Sequence, residues 1–247
     1  MDSWASFRFF SSLNDFLPLP KKGVAFPFGF SGLPAVKDTI EAIGVPHPEI
    51  GIILINSSPA HLATPLQARD QVEVYPAISE EQWPADYFLL PPAPEPARFI
   101  LDVHLGKLAR NLRLLGFDAC YRNDYTDKTL VDLASREGRR VLTRDIGLLK
   151  HKAITWGYWL RSQDPEKQLI EVMAYYQLQA RLAPFTRCLA CNGHIEAVPK
   201  EAVQEALPPK TRLYFQDFFQ CSHCKRVYWK GSHYDRMLAF VAQLPPP

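Results

Sequence analysis

Four of the five cysteines in this 247-residue chain stand as two CxxC pairs, Cys188-Leu-Ala-Cys191 and Cys221-Ser-His-Cys224, with 29 residues between Cys191 and Cys221. A CxxC turn aims two sulfurs at one point, and two such turns complete the tetrahedron that Zn²⁺ accepts from Cys ligands. The spacing therefore predicts a zinc ribbon closed by Cys188, Cys191, Cys221 and Cys224. The competing readings are two redox-active pairs or two disulfides, and disulfides require an oxidising compartment. The start, Met1-Asp2-Ser3-Trp4, has neither the basic nor the apolar region of a signal peptide, and no run of about 18 apolar residues is present to span a bilayer. A reducing cytoplasm is the expected setting, with no membrane partner. Cys120, in the apolar stretch Phe117 to Tyr121, reads as a buried inert thiol.

A zinc site with four protein ligands has no open position for chemistry, so any activity must be sought elsewhere. The net charge of +2 conceals an uneven distribution. Residues 1–97 carry 5 basic and 11 acidic groups, residues 98–161 carry 13 and 7, and residues 162–247 carry 10 and 8. The basic middle segment is either a polyanion-binding region or a solvated face. A hydrophobic content of 47% is ample for packed cores, and the length leaves room for one large or two to three small domains.

Leu90-Pro91-Pro92-Ala93-Pro94-Glu95-Pro96 reads as a linker, because its prolines lack backbone donors and favour an extended chain. Pro245-Pro246-Pro247 reads as a disordered tail. Before the linker, strands are expected at Ser6 to Phe10, Val24 to Phe28, Ile50 to Ile55 and Gln71 to Tyr75, with a short helix from Pro34 to Ile43. This order suggests a ubiquitin-like β-grasp. The stretch Leu66 to Pro76 resembles the last strand of sulfur-carrier proteins, which end in a flexible Gly-Gly. Here the strand runs into Pro76 and the chain continues, so a docking or stabilising role is expected rather than sulfur transfer.

After the linker the pattern becomes strand, helix, strand, helix, strand: Arg98 to Asp102, Leu105 to Leu115 closed by Gly116, Phe117 to Arg122, Asp127 to Glu137 closed by Gly138, and Arg140 to Asp145. That alternation predicts a parallel sheet with covering helices. Thr155 to Arg161 adds a candidate fourth strand, and a helix capped by Asp164, with Pro165 at its first position, is expected to reach about Leu178. In the first helix Leu105, Leu108, Ala109, Leu112 and Leu115 form the buried stripe, and Lys107, Arg110, Asn111 and Arg113 lie off it. Gly106-Lys107 lacks the other glycines of a phosphate loop, which excludes nucleotide hydrolysis of that type.

In an open parallel sheet, ligands bind beyond the carboxyl ends of the strands. Asp102 ends one strand, Asp124 follows the next, Asp145 ends the third, and Asp127 opens a helix. Clustered carboxylates repel unless a cation neutralises them, and hard oxygen donors suit Mg²⁺ or Mn²⁺. Such a site fits hydrolysis of nucleic acid phosphodiesters. Structural readings compete for several of these residues. Asp127 is also a good helix N-cap, Asp124 a turn residue, and Asp132 part of a solvated helix face. Asp102 and Asp145, at the ends of apolar strands, are costly to bury unless paired or metal-bound. His104 could meet substrate or metal, or simply be hydrogen-bonded at a strand end. The run Lys225-Arg-Val-Tyr-Trp-Lys230 could stack RNA bases, or Tyr228 and Trp229 could pack over the ribbon.

Phe99-Ile-Leu-Asp102, Gly106-Lys-Leu-Ala-Arg110, Leu114-Leu-Gly-Phe117-Asp118, Asp127 with Leu130 and Ala134, Leu142-Thr-Arg-Asp145, the two CxxC pairs and Val227-Tyr-Trp229-Lys-Gly-Ser-His233 together resemble the PIN-like ribonuclease family known from the C-terminal region of the mutator-seven exonuclease. The resemblance covers about 98–236, over half of the chain. It implies an α/β PIN-like nuclease core, a parallel sheet with helices on both faces, followed by a zinc ribbon and preceded by a ubiquitin-like β-grasp domain. The expected division is 1–88 β-grasp, 89–97 linker, 98–182 nuclease core and 183–240 zinc ribbon. It maps catalytic acids onto Asp102, Asp127 and Asp145, with Asp124 as a fourth, and it implies Mg²⁺ or Mn²⁺ held by Asp102 and Asp145. Where the family often has Met two places after the first Asp, this chain has His104. Lys107, Arg110, Arg144 and His104 are the expected substrate contacts, structural Zn²⁺ the second metal, and RNA the substrate. A protein partner for the β-grasp domain is also expected. The alternative is a non-catalytic adaptor that binds RNA or a ribosomal surface through the ribbon and the β-grasp.

Overall fold

A computed structural model describes residues 3–78 and 82–243; the Pro245-Pro246-Pro247 tail lies outside them. The elements in chain order are β1 Ser3–Phe9, β2 Phe26–Phe30, α1 Val36–Ile43, β3 Ile50–Ile55, β4 Ser58–Ala60, β5 Gln71–Pro76, β6 Arg98–Leu101, α2 Gly106–Leu114, β7 Asp118–Cys120, α3 Asp127–Glu137, β8 Arg140–Thr143, α4 Ile146–Leu149, β9 Gly157–Trp159, α5 Pro165–Tyr175, β10 Ile195–Val198, α6 Lys200–Val203, α7 Pro209–Tyr214, β11 Phe218–Cys221, β12 Val227–Trp229 and α8 Ser232–Ala242.

In β1, Ala5, Phe7 and Phe9 are buried while Trp4 and Arg8 face out, the period of two that a half-buried strand requires. The first sheet has order β2-β1-β5-β3-β4. Its β1 and β5 run parallel, with Ser6 opposite Gln71 and Phe9 opposite Val74, and its other pairs are antiparallel. That is a β-grasp arrangement, with Val36 and Ile40 of α1 joining Phe7, Phe9, Ile53, Val72 and Val74 in its core. Ile52, Leu54 and Tyr75 point to the opposite face and form a smaller cluster with Phe10, Trp83 and Tyr87. A β-bulge falls at Gly51, where a Cβ would lie 2.4 Å from the Pro76 carbonyl oxygen, so only glycine fits.

Several boundaries move relative to the sequence expectation, among them those of β1, which spans Ser3–Phe9 rather than Ser6 to Phe10. The second strand begins at Phe26 rather than Val24, because the turn at Gly23 (φ 70°) leaves Val24 exposed. The helix begins at Val36 rather than Pro34, because Ala35 stays extended and bridges Pro65. Its first amides donate to the loop carbonyls of Thr64 and Leu62 instead of to a capping side chain.

The second sheet has order β7-β6-β8-β9, with the β6–β7 and β8–β9 pairs parallel. The third, antiparallel, has order β10-β11-β12. The chain forms two compact units, one of Met1–Pro94 with Thr126–Trp159 and one of Glu95–Tyr125 with Leu160–Pro247.

In the first unit α3 starts and ends where the sequence placed it, closed by Gly138 in the left-handed region (φ 60°). In the second, the expected apolar stripe of α2 is buried throughout. Arg113 is the correction: it lies off that stripe yet is only 4% exposed. Its Nε donates to Ala119 O at 2.9 Å, and its Nη1 to Leu189 O at 3.2 Å and Ala190 O at 3.0 Å. Asp164 caps α5 by accepting from Glu166 N and Lys167 N, with Pro165 first, as read. The helix ends at Tyr175 rather than Leu178, because Gln177 turns left-handed (φ 51°) and Leu178 is buried past the break, its amide bonded to Met173 O. The third sheet contributes Phe218 to a core shared with Val203 and Leu207.

Candidate active site and metal centre

In the first unit, the turn before α3 decides what Asp127 is available to do. Thr126 is the N-cap, its Oγ1 accepting from Thr129 N at 3.2 Å, and Asp127 is the first helical residue. The capping role that the sequence allowed for Asp127 therefore belongs to its neighbour. Asp145 follows β8 and caps α4: its Oδ1 accepts from Gly147 N at 2.7 Å, and its own amide donates to Thr143 Oγ1 at 2.9 Å. Only one oxygen is committed to the cap, so the second remains to serve a ligand.

Asp127 and Asp145 line a cavity of about 340 Å³ together with Lys128, Asp132, Gly147 and His151. Asp132, read from the sequence as part of a solvated face, is exposed and also lines this cavity. His151 was not anticipated, since the one-turn α4 that delivers it has no periodic signal. Its Nδ1 accepts from Ala153 N at 3.3 Å, which leaves Nε2 for a ligand.

Asp102 and Asp124 belong to the second unit. Asp102 is half-buried, its Oδ1 accepting from Val103 N at 2.6 Å and its carbonyl from Leu105 N, so it shapes the turn into α2. Asp124 is exposed and gripped by Arg122, whose Nε and Nη2 donate to its two oxygens at 2.9 and 2.8 Å. That hydrogen bonding holds the Asp124 carboxyl below its usual range and raises Arg122. The basic candidates are all exposed. Lys107 and Arg110 lie on α2, with Arg110 Nη2 3.4 Å from His233 Nε2, and His104 precedes that helix. Arg144 adjoins Asp145, and its carbonyl accepts from Trp159 Nε1.

The second unit also gathers the cysteines. All four are free thiols, and their sulfurs lie within 4.8 Å of one another, with Cys188 to Cys224 at 3.6 Å and Cys191 to Cys221 at 3.4 Å. A tetrahedral Zn²⁺ with Zn–S of about 2.3 Å sets its sulfurs roughly 3.8 Å apart, so the quartet fits that ion. Among the described residues it is the one group of three or more His, Cys, Asp or Glu side chains close enough to share an ion as they stand. Gly193 passes so close that a Cβ would lie 2.9 Å from Cys221 Sγ.

Burial pushes the Cys188 thiol up, but the Tyr228 hydroxyl at 3.0 Å and the amides of Cys191 and Ala190 outweigh it and bring the thiol down to about 6. Burial and the neighbouring sulfurs push Cys191 up to about 12. Cys188 and Cys191 are thus pushed in opposite directions by their surroundings, whereas a bound dication favours thiolate ligands. Tyr228 is committed to Cys188 and Trp229 packs against the ribbon core. Trp229 thus packs over the ribbon as one reading of Lys225 to Lys230 expects, while both aromatic rings stay only partly buried.

Comparison with known families follows the same lines. The model of the Mut7-C RNAse domain matches residues 97–241, more than half of the chain. That of the Mut7-C ubiquitin domain matches residues 2–82. No curated protein matches the chain.

Proposed function

We propose that this chain, which belongs to the Mut7-C RNAse domain family, is a metal-dependent ribonuclease with a PIN-like core that hydrolyses RNA phosphodiester bonds. The observation that carries the reading is the cavity that gathers Asp127, Asp132, Asp145 and His151 beside Lys128. Carboxylates lining a cavity, with a lysine to meet an incoming phosphate, are the groups that this chemistry needs. Hard oxygen donors of this kind suit Mg²⁺ or Mn²⁺. When bound, that ion supplies polarisation of a phosphoryl oxygen and a more acidic water.

The chain's own residues supply the rest. Asp145, with one oxygen fixed by Gly147 N, presents the other at a set angle, and Asp127, relieved of capping, holds or deprotonates the attacking water. Asp102 is assigned to the metal with Asp145 from its position after β6, and Asp124 to an outer role, since Arg122 already compensates its charge. Lys107, Arg110, Arg144 and His104 are the proposed backbone contacts on RNA. The quartet is assigned structural Zn²⁺, in keeping with a reducing cytoplasm. No helix among the described residues is long and apolar enough to cross a membrane. The proposed division remains β-grasp 1–88, linker 89–97, core 98–182 and ribbon 183–240.

The test is cleavage of a single-stranded RNA oligonucleotide in Mn²⁺. Asp127→Asn and Asp145→Asn should each lower kcat by about 10²–10⁴-fold, with unchanged circular dichroism. Cleavage at the wild-type rate after both Asp102→Asn and Asp145→Asn would sink the proposal.

A further inference from the structure

The segment 144–159 carries Asp145 and His151 but has little means of holding its own shape. Its helix α4 has four residues, and β9 has three at the end of its sheet. Elements this short are not stable alone and must be held by packing. The holding groups come from the N-terminal fold, and they are specific and polar.

Lys150, which ends α4, donates its Nζ to the carbonyl of Glu41 at 2.6 Å. The ring of His47, 4% exposed, lies between two acceptors, with Nδ1 2.7 Å from Glu41 Oε1 and Nε2 2.8 Å from the carbonyl of Ile154. The Glu49 carboxylate, 1% exposed, accepts from Trp159 N at 2.6 Å. Phe16 packs its ring on Trp159 at 5.0 Å, and the Trp159 indole in turn donates to the carbonyl of Arg144, the residue before Asp145. The segment is thus fastened at its middle and at its end, and its end is tied back to its start.

Stabilising a sheet edge needs only apolar burial. Buried charged groups are costly, and their gain is directional, fixing one geometry against its neighbours. We infer that the N-terminal ubiquitin-like fold is a positioning element for the acid cavity, with Glu41, His47 and Glu49 holding residues 144–159 so that Asp145 and His151 keep their places. The inference rests on the cavity being the catalytic site. It gives the N-terminal fold an internal task that requires no other protein.

The full chain is tested with Glu49→Ala, Glu49→Gln and His47→Gln, and with Asp145→Asn as the chemical control. Two readouts are taken: hydrogen exchange of the amides of 144–159, and steady-state RNA cleavage in Mn²⁺. Glu49→Ala should speed exchange across 146–159. It should also lower kcat about tenfold or more, the cost of a small misplacement of catalytic groups, with the KM for RNA little changed. Glu49→Gln keeps an oxygen facing Trp159 N and should recover most of both effects. His47→Gln serves the same purpose if Glu49→Ala does not fold.

Wild-type exchange over 144–159 in both Glu49→Ala and His47→Gln would overturn the inference. So would faster exchange with an unchanged kcat. If the wild type cleaves and these variants match it, positioning alone fails. If the wild type does not cleave, the catalytic reading fails and takes the positioning role with it.

Discussion

At Thr126 and Asp127 one position separates a structural role from a chemical one. Both residue types cap helices, so the sequence allowed Asp127 to be explained by capping, and the geometry moves that role to Thr126. The two roles should therefore separate by mutation. Thr126→Ala should cost about 1 kcal/mol of stability, read by urea denaturation, and leave RNA cleavage near wild type, whereas Asp127→Asn should do the reverse. Arg113 shows a different limit of pattern. Helical periodicity reports the direction of a side chain but not what waits at its end, and here three backbone carbonyls do. Burial lowers the basicity of its guanidinium while Cys120, Cys188, Cys191 and Asp118 raise it, so its charge and the cysteine cluster are coupled. Arg113→Met leaves those carbonyls unsatisfied, at roughly 3 kcal/mol. A lower melting temperature and a weaker zinc affinity in a chelator competition are the expected results, and unchanged zinc affinity would detach Arg113 from the metal centre.

Among the elements, those with strong periodicity or explicit punctuation were legible. Helix α3, from Asp127 to its closing Gly138, and the start of α5, at Asp164-Pro165, lie where their residues place them. The one-turn α4 was not, since four residues carry no period, and with it went His151. The end of α5 was overrun because Leu178 keeps the apolar spacing after Gln177 has left the helix. Helix α1 was legible as a helix, but nothing in its sequence announced that Glu41 meets His47. Burial raises the Glu41 carboxyl, but the hydrogen bond and charge of His47, with Lys37 nearby, outweigh it and hold the carboxyl below its ordinary 4.5. A carboxyl lowered on folding adds stability above its unfolded value, and that stability is lost as pH falls through about 4.5 and below. Wild type should accordingly exceed Glu41→Gln in denaturant midpoint at neutral pH, and the two should converge as pH falls well below the ordinary 4.5. A constant gap across that range would show that Glu41 is not the titrating partner.

At the level of the whole molecule, the resemblance read from strand-end acids and paired cysteines named the family that the chain belongs to. The chain's compact units change over after Pro94, after Tyr125 and after Trp159. The first passage falls in a proline-rich stretch that composition marks, while the other two carry no such mark, because tertiary contacts alone define them. The cysteine quartet tests this partition directly. Its first knuckle is fastened within its own unit: Asn192 Oδ1 accepts from Ala119 N at 3.0 Å, Asn192 Nδ2 donates to Asp118 Oδ1 at 2.7 Å, and Arg113 binds the carbonyls of Leu189 and Ala190. Four-thiolate zinc is worth about 10–16 kcal/mol to small ribbons, more than most domains have in reserve. Chelation under reducing conditions should therefore speed hydrogen exchange at 186–229 and also at 106–120, which these bonds hold. The buried residues of the β-grasp core, Phe7, Phe9, Ile53 and Val74 among them, all lie within residues 3–78 and should keep their protection. Loss of protection confined to 186–229 would mean that the knuckle rests on the core without supporting it.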